Sequence, residues 1–135
     1  MKCFFHFWSI SLVLILILDS IWFSLTIEKL YKPYLGHIIS GKFNYYVAAA
    51  FYLIYSLGLS YLILAQGLDA NHTGFKILCN GFVLGFIAYA AYDLTNQATI
   101  ENWPVLIGII DILWGGVVTA LVSSISYKIV GVFVK

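Results

Sequence analysis

Four apolar runs, each about as long as one bilayer crossing, occupy nearly the whole chain. They lie at residues 4–26, 45–65, 75–96 and 104–127. A helix of about 20 apolar residues spans the hydrocarbon core, and backbone groups in hydrocarbon must find their partners within the same segment. The segments between the runs are short, so neighbouring helices must run antiparallel. We therefore predict an all-α integral membrane protein, an antiparallel four-transmembrane-helix bundle.

Composition supports one membrane domain over residues 1–135 without a soluble part. Hydrophobic residues make up 62% of the chain and charged residues 10%, which leaves too little polar surface for a soluble domain. The first run follows Lys2 as a signal peptide would, but it is long, contains Asp19 and lacks a small-residue cleavage site. We expect it to remain as a helix. Cys3 and Cys79 lie at different depths, and we expect two free thiols.

Charge indicates little about partners beyond the membrane. There is no arginine and the net charge is +1, so nucleic-acid binding is not expected. With four helices, both termini and the second loop share one side. That side carries four lysines (Lys2, Lys76, Lys128, Lys135) and the other carries three (Lys29, Lys32, Lys42). The small excess favours cytoplasmic termini. We also expect Pro33, in the first loop, to end any helix that leaves the membrane there.

Three aspartates interrupt the apolar runs. Asp19, Asp93 and Asp111 all lie in the half of the membrane nearest the first and third loops. A carboxylate at membrane depth is costly, and it usually faces a bundle interior or a water-filled cavity. We therefore predict that the three carboxyl groups converge in a cavity that opens toward the first and third loops.

Each aspartate has a polar or aromatic companion three residues later, which places the pair on one helix face. The companions are Trp22, Asn96 and Trp114. The segments 19–22 and 111–114 look alike, on helices that run in opposite directions. His37, in the first loop, is the histidine best placed to face the carboxyl groups. The predicted polar cluster is therefore Asp19, Trp22, His37, Asp93, Asn96, Asp111 and Trp114.

The same residues have a plainer interpretation. Trp and Tyr collect at membrane interfaces, and polar side chains join helices in many bundles. Carboxyl groups and a histidine could also hold a divalent cation, but hydrogen-bonded contacts or proton sites fit helix-borne carboxyl groups better. We expect no metal and no cofactor. The run Gly36 to Lys42 lacks the Ser or Thr of a phosphate-binding loop. Gly81 and Gly85 predict a close helix approach.

Several segments resemble one known family in sequence order. They are residues 18–22, 35–37, 51–55, 89–99 with its Asp-Leu-Thr-Asn sequence, Trp103-Pro104, and 111–115. Over nearly the full chain they resemble the bacterial membrane family called domain of unknown function 2177. The resemblance implies a small four-helix protein of the bacterial inner membrane, which crosses it several times. It implies no established activity.

Two functions from different classes fit these patterns, and a third has no chemistry. The cluster would bind or process a lipid-like molecule, with the polar head at the aspartates and the tail between helices. Alternatively, a homo-oligomer would carry protons or a small cation, although transport sites usually lie near the midplane. A membrane assembly or scaffold subunit is the third interpretation. No nucleophile–base pattern is present, which leaves open whether the protein is an enzyme.

Overall fold

The computed structural model describes residues 3–39 and 41–134, and every regular element within those ranges is helical. The helices are α1 (Phe4–Leu35), α2 (Tyr45–Asp69), α3 (Gly74–Thr99) and α4 (Val105–Val134). Each of the four is long and apolar enough to cross a membrane. The predicted four-helix membrane bundle is therefore confirmed.

Two of the helices contain a wider π-helical segment. In α1 the regular helix runs to Thr26, becomes π-helical over Ile27–Tyr31 and closes with the short turn Lys32–Leu35. The prediction that Pro33 ends the helix is wrong, because Pro33 lies inside that last turn. Proline normally breaks a helix because its ring crowds the preceding turn. A π turn just before it widens the backbone where the ring must fit. In α2 the π segment is Ser60–Ala65.

Helix ends are set by short polar side chains. The side chain of Asn44 accepts hydrogen bonds from two backbone N–H groups in the first turn of α2, both at 3.2 Å. The Thr73 side chain accepts one such hydrogen bond, at 3.3 Å, in the first turn of α3. Side-chain acceptors at this position satisfy backbone donors that have no partner inside the helix. Asn71 and Asn102 have φ values of 50° and 60° and form the turns before α3 and α4.

Helix α4 is the centre of the bundle and packs most closely against α3. Glycines permit this approach. A Cβ added at Gly85 would lie 2.0 Å from the Gly115 carbonyl oxygen, and one at Gly81 would lie 2.5 Å from Oγ of Ser123. On α4, a Cβ at Gly115 would lie 2.2 Å from Cγ of Tyr89. The close approach predicted from Gly81 and Gly85 is confirmed.

The buried apolar side chains form two clusters. The larger one joins all four helices, and includes Phe7, Leu64, Ile77 and Val118. The smaller one contains Tyr31, Leu35, Trp103 and Ile107, and joins the end of α1 to the start of α4. Asp19 falls between these clusters along α1, and Asp111 falls between them along α4. The polar residues thus occupy a layer between two apolar ones.

Candidate functional site

Asp19 is held by two helices at once. Its side chain is buried, with 2% of the residue exposed. Oδ1 accepts a hydrogen bond from Nε1 of Trp114 on α4 at 2.9 Å, and Oδ2 accepts one from the Tyr52 hydroxyl on α2 at 2.9 Å. Each carboxyl oxygen therefore has a donor. Buried polar groups are tolerated when they are paired in this way, so Asp19 ties α1 to α2 and α4.

Trp22 and Trp114 continue this network through their rings. The two indoles are stacked, with centroids 4.3 Å apart and an interplanar angle of 7°. The N–H of Trp22 donates to the Tyr31 hydroxyl at 3.1 Å. Aromatic contacts of this kind add about 0.5–1.5 kcal/mol beyond the area that they bury. The stack connects the Asp19 side of the network to Tyr31.

Tyr31 carries the network on to Asp111. Its hydroxyl donates to Oδ1 of Asp111, which is half-buried on α4. Trp22 and Tyr31 are nine residues apart, a spacing that puts two side chains on opposite faces of a regular α-helix. The π segment between them changes the rotation per residue and brings Tyr31 toward the same partners. The sequence Asp19, Trp114, Trp22, Tyr31, Asp111 is a continuous chain of contacts; we call it the aspartate–aromatic network.

Asp93 differs from the other two aspartates because it has no hydrogen-bond donor. The residue is fully buried, and neither carboxyl oxygen has a hydrogen-bond partner among residues 3–39 and 41–134. It packs against Gly108, where an added Cβ would lie 3.6 Å from the Asp93 Cβ. Gly108 is three residues before Asp111, so the two residues share one face of α4. Asp93 therefore packs against the face of α4 that carries Asp111.

Trp103 lies next to this carboxyl group. Trp103 is 8% exposed, and its Nε1 is buried without a hydrogen-bond partner in the described part of the chain. The indole lies close to Asp93, although it does not complete a hydrogen bond to it. The ring also meets Tyr92 edge to face, with centroids 5.9 Å apart and an angle of 82°. We call Asp93, Trp103, Tyr92 and Gly108 the Asp93 site.

The structure brings together some of the predicted site residues. Asp19, Trp22, Asp111 and Trp114 belong to the aspartate–aromatic network, and Asp93 is next to it. Asn96 is half-buried one turn beyond Asp93 and has no side-chain hydrogen bond to a carboxyl group within the described ranges. His37 is exposed beyond the end of α1, and no described contact joins it to the aspartates. Their roles stay predictions.

Three residues of the arrangement were absent from the predicted cluster. Two of them donate hydrogen bonds to an aspartate: Tyr31 to Asp111 and Tyr52 to Asp19. The third, Trp103, lies next to Asp93 without forming one. Tyr52 could have been found, because a tyrosine inside an apolar run needs a partner for its hydroxyl. Tyr31 could not, because its position depends on the π segment. Trp103 belongs to the segment Trp103-Pro104 that resembles the family, and that resemblance assigns it no role.

The geometry differs from a metal centre and from an open cavity. Within residues 3–39 and 41–134, no three His, Cys, Asp or Glu side chains are grouped as metal ligands. Aromatic side chains separate the carboxyl groups of Asp19 and Asp111. A shallow concave surface does occur, but it lies on α3 between Phe86 and Ala98 and is almost wholly apolar. It includes Leu94, the residue after Asp93.

Comparison with known families identifies the chain at family level. Residues 4–128 match the sequence profile of a family described as "Predicted membrane protein (DUF2177)". The chain belongs to this family. The DUF2177 match covers the whole aspartate–aromatic network and the whole Asp93 site. No match was found among curated proteins or among solved structures.

Proposed function

We propose that this DUF2177 protein binds the polar head of a lipid-like molecule at the Asp93 site. The observation that carries the proposal is the Asp93 carboxyl group, which is fully buried and has no hydrogen-bond partner in the described ranges. A buried polar group left without a partner costs about 1–3 kcal/mol. Such a group in a native structure calls for an explanation, and a ligand that supplies the missing donors is a direct one.

The position of the site agrees with a lipid ligand. Asp93 lies near the end of α3, and Trp103 lies just before the start of α4. Tryptophan is enriched at the level of the lipid headgroups. The apolar concave surface between Phe86 and Ala98 includes Leu94, the residue after Asp93, whereas Asp93 itself is buried on another side of α3. A head at Asp93 would place an acyl chain at the same level of the membrane as this surface.

The aspartate–aromatic network would hold the site in place without binding the ligand itself. The Asp19 carboxyl group already has a donor on each oxygen, so it has little capacity for another partner. Tyr31 and Leu35 pack with Trp103 at the end of α1, and they fix the wall behind the indole. Preorganised surroundings of this kind improve binding because less must be ordered when the ligand arrives.

Native mass spectrometry of the purified full chain tests the proposal. The protein is released from detergent that contains a mixture of bacterial-type phospholipids, and the bound lipids are counted for wild type and variants. We expect Asp93→Asn to lose at least ten-fold in lipid retention, which corresponds to about 1.4 kcal/mol. Glu101→Gln is the matched control, because Glu101 is exposed in the adjoining loop. Equal retention by wild type and Asp93→Asn would refute a lipid site at Asp93.

An oligomeric proton- or cation-coupled transporter is the second candidate. The observation that favours it is a row of buried hydroxyl groups on α4. These residues are fully buried: Thr119, Ser123 and Ser126. The Ser126 hydroxyl has no hydrogen-bond partner within the described residues. Their spacing places them on one helix face, which continues from Asp111 toward the other end of α4.

Flux measurements separate transport from lipid binding. The full chain is reconstituted in vesicles that contain a pH-sensitive dye, and a proton gradient or a potassium gradient is applied. A transporter would dissipate the gradient, and Asp111→Asn would abolish the flux. Without flux in wild type, the transport function is excluded. A scaffold role would instead leave lipid retention and flux unaffected by every aspartate variant. Location in a bacterial inner membrane is part of the proposal and is supported by the sequence resemblance.

A further inference from the structure

We infer that the head bound at the Asp93 site carries a primary ammonium group next to a phosphate ester, as a phosphoethanolamine head does. The inference rests on the proposed lipid binding at Asp93 and names the chemical class of its ligand. It follows from what the carboxyl group lacks, from where the positive charges of the chain lie, and from which groups form the wall of the site.

The Asp93 carboxyl group is left without donors although polar side chains lie near it. Both of its oxygens are without a hydrogen bond in the described ranges. Two possible donors are close: the Trp103 indole, which has a single N–H, and the Gln97 amide, which lies against the same point of Gly108 as the carboxyl group. Neither forms a hydrogen bond to Asp93 in the described ranges. If the indole N–H alone turned to the carboxyl group, one oxygen would still have no partner. An –NH₃⁺ group has three donors and can serve both oxygens.

Among residues 3–39 and 41–134 no lysine side chain is buried with Asp93. Arginine does not occur in the sequence, and the lysines of the described ranges are exposed. Lys32, which is on the same side of the bundle, pairs with Glu28 one turn away. Asp93 packs against Gly108, and Asp111 lies three residues further along α4 on the same face, so a second acidic group is near the site. Buried charges are normally paired or neutralised, and an ammonium group on the ligand would supply the missing cation.

The wall of the site favours an ammonium ion and an adjacent anion. Trp103 and Tyr92 present two aromatic rings at nearly a right angle, and aromatic faces attract cations within about 6 Å. The indole N–H of Trp103 is a buried donor that needs an acceptor, and a phosphate oxygen is a strong one. A quaternary ammonium would satisfy the rings but not the carboxyl oxygens, because it has no N–H.

A ligand at the buried Asp93 requires Trp103 to move. The indole lies close to the carboxyl group and packs with Tyr31 and Leu35, but its N–H has no hydrogen bond within the described ranges. It lies in the short turn between α3 and α4, directly after Asn102 with its positive φ of 60°. A side-chain rotation there would uncover Asp93 toward the membrane surface. Bound ammonium would then replace the indole over the carboxyl group, while the N–H of Trp103 turns to the phosphate.

Four lipids with identical acyl chains test the inference on the full chain in detergent. They are phosphatidylethanolamine, its N-acetyl derivative, phosphatidylcholine and phosphatidylglycerol, and the bound lipid is measured by native mass spectrometry. We expect phosphatidylethanolamine to bind at least ten-fold more tightly than the other three. The N-acetyl lipid is the sharpest comparison, because it keeps the phosphate and the chains but has no ammonium group.

Variants connect this preference to Asp93. We expect Asp93→Asn to bind phosphatidylethanolamine no better than the N-acetyl lipid, and Glu101→Gln to keep the wild-type preference. If Asp93→Asn does not fold, the comparison of the two lipids on the wild-type protein still decides. Equal binding of all four lipids to wild type, with loss in Asp93→Asn, would overturn the ammonium inference and leave the proposed lipid site intact.

Two further outcomes concern the proposed function itself. If all four lipids bind equally and Asp93→Asn makes no difference, both the ammonium inference and the lipid site are wrong. Glycerophosphoethanolamine, which has the head without acyl chains, is added as a soluble competitor. If it binds as tightly as the full lipid, the ammonium inference holds but the ligand is a free amine, and the proposed lipid function is overturned. Weak competition supports both.

Discussion

The indole of Trp22 lies flat against the indole of Trp114, with ring centroids 4.3 Å apart, and the two N–H groups donate to different acceptors. Trp114 donates directly to Asp19, whereas Trp22 reaches Asp111 through the Tyr31 hydroxyl. Each tryptophan stands three residues after the aspartate on its own helix and serves the one on the other helix. The two helices are thus joined by a crossed pair of contacts, with one tyrosine inserted in one of them.

The Tyr31 hydroxyl is the single group that completes this crossed pair. Tyr31→Phe leaves the Trp22 N–H without an acceptor and one Asp111 oxygen without a donor, so we expect a loss of about 1–3 kcal/mol in the free energy of unfolding. Tyr34→Phe is the control, because Tyr34 is 42% exposed in the same last turn of α1. Reversible unfolding in mixed micelles measures both variants. A change in Tyr31→Phe no larger than in Tyr34→Phe would contradict the role of the hydroxyl.

The N–H of Trp114 is expected to matter more than that of Trp103. Trp114→Phe keeps a ring at the stack but removes the donor to Asp19, and the carboxyl oxygen left behind costs about 1–3 kcal/mol of stability. Trp103→Phe makes the same change where the N–H has no partner. In lipid-free detergent we therefore expect Trp114→Phe to unfold more readily. The opposite order would show that the Trp103 N–H has a partner in solution.

The sequence was sufficient for the architecture because the bilayer imposes it. Apolar length fixes the number of helices, and burial of Asp19 and Asp93 follows from the cost of exposing a carboxyl group to lipid. The spacing of Asp19 with Trp22, and of Asp111 with Trp114, also placed each pair on one face. Those four residues lie on facing sides of α1 and α4, and the structure joins them through the contacts of the aspartate–aromatic network.

Other features depended on backbone geometry that sequence patterns do not fix. The π segment Ile27–Tyr31 carries α1 past Pro33 and turns Tyr31 toward Trp22. A period of 3.6 residues applied to residue 31 would have placed it on the opposite face. The difference between Asp19 and Asp93 was likewise hidden, because it depends on which donors from other helices happen to reach each carboxyl group.

The close packing of α3 on α4 gives a prediction about glycine. A Cβ at Gly85 would lie 2.0 Å from a backbone oxygen of α4, so Gly85→Ala must push the helices apart, and overpacking of this kind typically costs about 1–3 kcal/mol. Gly58→Ala is the control, since nothing lies within 4 Å of an added Cβ there, and alanine favours a helix by up to about 1 kcal/mol. The midpoint temperature of thermal unfolding in detergent should be lower than that of wild type for Gly85→Ala alone. A similar midpoint for both variants would show that the helices are less tightly packed.

Asp19→Asn should lower the free energy of unfolding, whereas Asp93→Asn should not. At Asp19, the amide of asparagine replaces one acceptor by a donor, which then faces Trp114 or Tyr52, so we expect a loss of about 1–3 kcal/mol. At Asp93 no protein contact is lost, and removing an unpaired buried carboxyl group should leave the stability of lipid-free protein unchanged or raise it.

Adding phosphatidylethanolamine should make wild type more stable than Asp93→Asn. A ligand that binds only the folded protein stabilises it by about 2.7 kcal/mol at one hundred times its Kd. We therefore expect wild type to gain stability with lipid and Asp93→Asn to gain none, while Asp19→Asn gains as much as wild type from its lower starting point. Unfolding curves at several lipid concentrations measure all three proteins. If Asp93→Asn is as destabilised as Asp19→Asn before lipid is added, the Asp93 carboxyl group has a partner within the protein, and the basis for a ligand at this site disappears.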